Sequence, residues 1–182
     1  MQAATVVPYR EEFRSAFEQL NRAWIEAYFV LEEADREIFR DPPSEVLAAG
    51  GQVFFVLEGN QVQGTCAVLR HNGEDFEIAK MAVAPSARGR GYGDRLMEAA
   101  VQFATHAGGK RIIIVSNTVL EPAIRLYQKH GFIRVPLTPD EPRDRQFKVT
   151  LRLSGTTWRL TGIDLPASLQ KELTKRAAVA SK

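Results

Sequence analysis

The chain has 182 residues, 45% of them hydrophobic and 25% charged, and carries a net charge of +2. That length fits one domain with a sizeable core, and so small a charge excess argues against a nucleic-acid partner. No apolar run approaches the ~20 residues of a membrane helix, and a single cysteine, Cys66, excludes an internal disulfide and fits a reducing compartment. The first residues lack a basic stretch followed by an apolar core, so no secretory signal is read and a cytoplasmic location is expected.

Ala4 to Tyr9 reads as a short edge strand. Glu11 to Phe29 reads as a helix, because Phe13, Phe17, Leu20, Trp24 and Tyr28 recur at steps of three and four and make one apolar face. Trp24 and Tyr28, near its end, either pack in the core or line a pocket. The acidic run Glu32 to Glu37 follows, and Asp41-Pro42-Pro43 breaks it. Glu32 and Asp35 are open to two readings, a solvated helix face or a grip on a cation. Ser44 to Ala49 is expected as a short helix with Ser44 as its N-cap.

Gly51 to Glu58 and Gln61 to Arg70 read as strands joined in a hairpin at Gly59-Asn60. His71 to Glu74 is the next tight turn, and Phe76 to Val83 the third strand, ended by Pro85. Cys66 inside the second strand reads as a small buried hydrophobe. Arg88-Gly89-Arg90-Gly91-Tyr92-Gly93 then leads into a helix from Tyr92 to Ala107 that Gly108-Gly109 stops. Strand, glycine-rich turn and helix in that order suit an anion, since a helix N-terminus offers free N–H groups and the positive end of a dipole. Glycines let the backbone approach phosphates, and Arg88 and Arg90 add charge. The glycines alone also fit an ordinary turn, and no Gly-Lys-Ser/Thr follows to make a Walker loop.

Arg111 to Val115 is a β-branched run that reads as a central strand buried on both faces, parallel to the strand from Phe76 across the intervening helix. Leu120 to His130 is a short helix with Pro122 in its first turn and Gly131 beyond its end. Phe132 to Val135 starts another strand, Leu137 to Arg145 reads as a loop, and Gln146 to Leu153 alternates as a hairpin partner. Residues 1–154 form one α/β domain with a mixed, mainly antiparallel sheet flanked by helices. Residues 155–182 form an extension with a helix expected from Pro166 to about Ala180, which packs either on the domain or on a second copy in a homodimer.

Arg88-Gly89-Arg90-Gly91-Tyr92-Gly93 resembles the Gln/Arg-x-x-Gly-x-Gly/Ala signature of the GNAT superfamily of acyl-CoA-dependent N-acetyltransferases, and Glu77-Ile78-Ala79-Lys80-Met81-Ala82-Val83 is similar to the strand that carries it. Ser116-Asn117-Thr118, Ala123-Ile124-Arg125-Leu126-Tyr127 and Gly131-Phe132 resemble the family's second cofactor-contacting half. The resemblance implies that the two central parallel strands splay apart to admit a pantetheine arm. It implies acetyl-CoA as co-substrate, held by Met81, Ala82 and Val83 on the strand, by the backbone from Arg88 through Gly89, Arg90, Gly91, Tyr92 and Gly93 to Asp94, and by Asn117. Tyr127 matches the tyrosine that points at the sulfur, a general acid. Glu77 matches a glutamate that serves as general base in several members, with Glu32 or a chain of waters as rivals. On the residues, Glu77 shares a strand face with Ala79 and Met81. Segments between the first two helices cover the acceptor in such proteins, which makes Glu32 and Asp35 candidates to hold a cationic amine, with Trp24 and Tyr28 as candidates to line the substrate pocket.

The activity expected is direct acetyl transfer to a small amine, a polyamine or a peptide amine. A non-catalytic acyl-CoA-binding or regulatory module is the alternative. His71, His106 and His130 are scattered without ligand spacing, so no metal is expected.

Overall fold

The computed structural model describes residues 4–139 and 146–153. The extension expected over residues 155–182, and the end of the loop expected to reach Arg145, lie outside the described residues. Seven strands form one sheet: β1 (Ala4–Pro8), β2 (Gln52–Glu58), β3 (Gln61–Arg70), β4 (Asp75–Val83), β5 (Arg111–Ser116), β6 (Ile133–Val135) and β7 (Phe147–Arg152). Their order is β1-β2-β3-β4-β5-β7-β6. Every pair is antiparallel except β4 with β5. The mixed, mainly antiparallel sheet expected from the pattern is therefore present, with β1 at one edge.

Helices cover both faces. Helices α1 (Arg14–Tyr28) and α2 (Glu33–Arg40) lie on one, and α3 (Tyr92–His106) and α4 (Glu121–Lys129) on the other. Strand β2 explains the two cores, because it is apolar at nearly every position. Phe54 and Val56 join Leu96, Met97, Phe103 and Tyr127 on the α3 side, while Val53, Phe55 and Leu57 join Phe17, Ile25 and Phe39 on the α1 side. Burying a Phe or Leu side chain contributes roughly 1.5–3 kcal/mol, so these two clusters hold the layers together.

Three expectations need correction. The buried stripe of α1 is Phe17, Asn21 and Ile25, whereas Tyr28, the last residue of the helix, is 61% exposed. Asn21 can occupy the stripe because its Nδ2 donates to the Phe17 carbonyl at 2.9 Å and its Oδ1 accepts from Trp24 Nε1 at 3.3 Å. Residues 43–47 form a single wide turn capped at Pro42 rather than Ser44, which lies inside it and donates its N–H to Asp41 Oδ1 at 3.2 Å. In β5 the buried residues Ile112, Ile114 and Ser116 alternate with the half-buried Ile113 and Val115, so the apolar run is fully covered only on the face whose isoleucines join the α3 core. In addition, β7 is more than a hairpin partner for β6, since it inserts between β6 and β5 and pairs with β5 along Arg111–Ser116.

Candidate active site

Two features of β4 set the geometry. The first is where it leaves β5. The parallel register runs Asp75↔Arg111, Phe76↔Ile112 and Glu77↔Ile113 and stops there, although β4 continues to Val83 and β5 to Ser116. Beyond Glu77 the two strands part, leaving a wedge between them in the middle of the sheet, as the resemblance implied.

The second feature is a bulge. Thr65 pairs with Ala82 and Ala67 with Ala79, so Lys80 and Met81 together face Cys66. Lys80 takes up the extra residue at φ +48°, a left-handed conformation rare outside glycine. The bulge reverses the alternation of side chains. Met81 and Val83 pack on the α3 side with Phe76 and Ile78, so Glu77 shares its face with Ala79 but not with Met81, contrary to the alternation read from the sequence. The Ala84 N–H donates to the Gln63 carbonyl of β3 at 2.8 Å. By alternation along the strand the Ala82 N–H also faces β3, while those of Met81 and Val83 turn to the wedge.

Lys80 reaches the α1 side, where its ammonium pairs with Asp35. Asp35 Oδ2 also accepts from the Glu32 N–H at 3.0 Å, in a capping box that starts α2. Asp35 is thus engaged within the fold, whereas Glu32 is exposed. Trp24 is half-buried, edge-on to Phe29 at 6.1 Å between ring centroids.

At the wide end of the wedge stand Tyr127 and Asn117. Tyr127 is buried in the core that also holds Cys66 and borders Met81. Burial pushes its phenol up to about 12, against the hydrogen bond it receives from the Ser116 hydroxyl. It therefore stays protonated throughout the neutral range. Burial also pushes the Cys66 thiol up to about 12, in keeping with a small core residue rather than a nucleophile. Asn117, buried after β5, accepts from the Val119 N–H at 3.1 Å.

The glycine loop forms the outer rim. Gly89 and Gly91 have φ of +75° and +78°, and a Cβ on either would meet nothing within 4 Å. Open space on the one side and left-handed backbone on the other leave the loop accessible to a ligand. Gly91 caps α3, and the first intrahelical bond is from the Arg95 N–H to the Gly91 carbonyl at 3.2 Å. The N–H groups of Tyr92, Gly93 and Asp94 precede it and have no acceptor among the described residues, which is the arrangement a pyrophosphate requires. Gly93 is needed for packing, since a Cβ would come within 3.3 Å of Leu126 on α4. Asp94 ties α3 to the end of α4 through Lys129 Nζ at 2.7 Å and His130 Nε2 at 2.9 Å. Arg88 is exposed. Arg90, expected to add charge for an anion, instead pairs with Glu58 of β2 and lies over the Tyr92 ring at 5.2 Å. That guanidinium holds the Glu58 carboxyl below its ordinary range.

Glu77 sits at the apex, the last position before the strands part. Its Oε2 lies 2.6 Å from His71 Nε2, in the turn between β3 and β4. Neither His71 nor Lys80 was singled out from the sequence. A histidine six residues from its carboxylate, across a hairpin, leaves no periodic signature, and a left-handed lysine leaves none at all.

Comparison with known proteins agrees with this geometry. The model of the acetyltransferase (GNAT) family matches residues 10–132. A mycothiol acetyltransferase of Corynebacterium efficiens is 30% identical over 80 residues, 44% of this chain and 27% of that protein, so the chain spans only about a quarter of that relative's length. Among solved structures, an acetyltransferase of the GNAT family from Staphylococcus aureus superposes with a TM-score of 0.75 at 14% identity, covering 84% of this chain and 100% of the other. An acetyltransferase from Streptococcus agalactiae gives a TM-score of 0.72 at 22% identity with the same coverage. These two establish a shared fold.

Proposed function

The chain belongs to the acetyltransferase (GNAT) family, and on that premise we propose that it moves an acetyl group from acetyl-CoA directly to a primary amine. One observation carries the reading. The end of the β4–β5 pairing, the bulge in β4 and the unsatisfied N–H groups opening α3 follow one another along residues 77–94. A pyrophosphate suits the N–H groups of Tyr92, Gly93 and Asp94, with the backbone of Arg88 to Gly91 around it and with Arg88, which meets no carboxylate among the described residues, as the nearby cation. A pantetheine arm suits the wedge, facing the N–H groups of Met81 and Val83 and the amide of Asn117.

In this reading acetyl-CoA supplies a thioester at the point where β4 bulges. The Met81 or Val83 N–H donates to the carbonyl oxygen and supports the charge that develops there. The acceptor arrives as an ammonium with a pKa near 10.4 and must lose a proton first. Glu77 takes that proton. The amine nitrogen then bonds to the carbonyl carbon as the C–S bond breaks, and Tyr127, held protonated by burial, donates to the leaving sulfur. The α1–α2 side offers Glu32 and the aromatic pair Trp24 and Tyr28 to the acceptor. Asp35 acts instead through Lys80, fixing α2 to the bulge. The acceptor class is a small amine, a polyamine or a peptide amine.

The test is thiol release from acetyl-CoA across a panel of such amines, with wild type and Glu77→Gln side by side. The reading requires turnover by wild type and a large loss in Glu77→Gln at neutral pH with acetyl-CoA affinity retained. Binding of acetyl-CoA without turnover on any amine would favour a non-catalytic acyl-CoA-binding module. Equal turnover by both proteins would remove Glu77 from the mechanism.

A further inference from the structure

The turn between β3 and β4 brings a histidine onto the carboxylate at the apex of the wedge. We propose that His71 forms a proton relay with Glu77, so that the proton taken from the acceptor by Glu77 leaves through the imidazole. The proposal rests on the reading of Glu77 as base.

The geometry is direct. His71 Nε2 and Glu77 Oε2 are 2.6 Å apart, and the carboxylate is the more sheltered partner, with side-chain exposure of 25% against 48% for the imidazole. Glu77, the last β4 residue paired with β5, therefore has a partner that is more open to solvent than itself. Other charges nearby are already matched. Asp75 is held by Arg111 of β5 through two bonds, and Arg152 of β7 stands opposite Arg111 in register. Glu74 pairs with Lys110 Nζ at 2.7 Å. Arg70 of β3 turns away, donating to the Gly73 carbonyl at 3.0 Å and lying over Phe76. Of these groups only His71 bonds the Glu77 carboxylate. A pair this exposed adds little stability, since surface ion pairs contribute roughly 0–1 kcal/mol, so a purely structural role accounts poorly for its position.

The steps balance. The ammonium proton passes to the ionised Glu77 carboxylate. It moves from that carboxylate to Nε2 of the neutral imidazole, which carries its other proton on Nδ1. The imidazolium gives its Nδ1 proton to water, and the Nε2–H tautomer that remains exchanges through water back to the Nδ1–H form, so both residues return to their starting forms. Only O–H and N–H bonds change. The Glu77 carboxylate, accepting from Nε2–H of the protonated ring, holds the proton affinity of His71 above its ordinary value, partial burial opposes this, and Asp75 adds to it. Such an imidazole is suited to accept a proton near neutral pH.

Four proteins test the relay: wild type, His71→Gln, Glu77→Gln and the double variant, with His71→Ala for rescue and thermal melts to verify folding. The relay predicts that His71→Gln loses about tenfold or more in kcat, at the weak end of general-base effects. KM for acetyl-CoA should stay within about twofold, and the acidic limb of the kcat/KM profile should move. Added imidazole should restore His71→Ala, and the double variant should be no slower than Glu77→Gln alone, as expected for residues acting in one unit. Wild-type kcat and pH profile in His71→Gln, with Glu77→Gln inactive, would overturn the relay and leave the base in place. Losses that add in the double variant and resist imidazole would also overturn it. Wild-type turnover in Glu77→Gln would remove the base and the relay together.

Discussion

Replacing Lys80 by Met tests whether the bulge of β4 is held by charge. Met preserves length and leaves the left-handed backbone as it is, so the substitution isolates the ammonium. Its loss leaves the Asp35 carboxylate, with side-chain exposure of only 5%, held by a single N–H from Glu32. Removing one partner of a buried pair costs about 3–5 kcal/mol, because a charge is stranded out of water. At about 2–4 °C per kcal/mol for a chain of this size, Tm should fall by roughly 6–20 °C. Adding Asp35→Asn removes the stranded charge, and the amide oxygen can still accept from the Glu32 N–H, so the double variant should recover most of the loss. Calorimetry on the four proteins of this cycle gives the coupling directly. A Lys80→Met protein melting within about 2 °C of wild type, or single losses that simply add, would refute the argument.

Two further predictions concern the cofactor path. Excess acetyl-CoA, at one hundred times its Kd, should stabilise the protein by about 2.7 kcal/mol, a Tm rise of roughly 5–10 °C. Gly91→Ala forces a side chain into φ +78°, should itself cost about 1–2 kcal/mol, and should shrink that rise; an undiminished rise would mean the loop does not carry the phosphates. Tyr127→Phe should lower kcat about a hundredfold while acetyl-CoA affinity changes little, as stopped assays and titration would report. A matched loss in both would assign Tyr127 to packing.

The strands and helices were legible because their signals are strong: the Gly59-Asn60 hairpin between β2 and β3, and glycines at Gly91 and Gly108 that bracket α3. The outer loop was legible for the same reason, since a left-handed cap has few solutions besides glycine. Alternation failed where one residue was inserted. Nothing in Ala79-Lys80-Met81 announces a bulge, and after it every side chain on β4 exchanges faces. Pairing of charges was also hidden. Arg90 meets Glu58 from thirty-two residues away and Lys80 meets Asp35 from forty-five, and local spacing holds no record of such contacts. Asn21 was overlooked for a subtler reason: it is polar, and only its back-bond to Phe17 makes it fit a buried stripe.

The insertion of β7 between β5 and β6 bears on how the domain assembles. During synthesis β5 and β6 emerge with facing edges that cannot pair with each other at sheet distance, and both stay open until residues 147–152 arrive. Strands β2, β3 and β4 have only hairpin contacts to make, plus α3, and can form first. The second half closes late, through pairings that span more than thirty residues, such as Ile112 with Leu151. Long-range pairings of this kind slow folding and leave strand edges exposed to other chains meanwhile. The step most vulnerable to aggregation is therefore the docking of the last described strand, at the border of the wedge on which the chemistry depends.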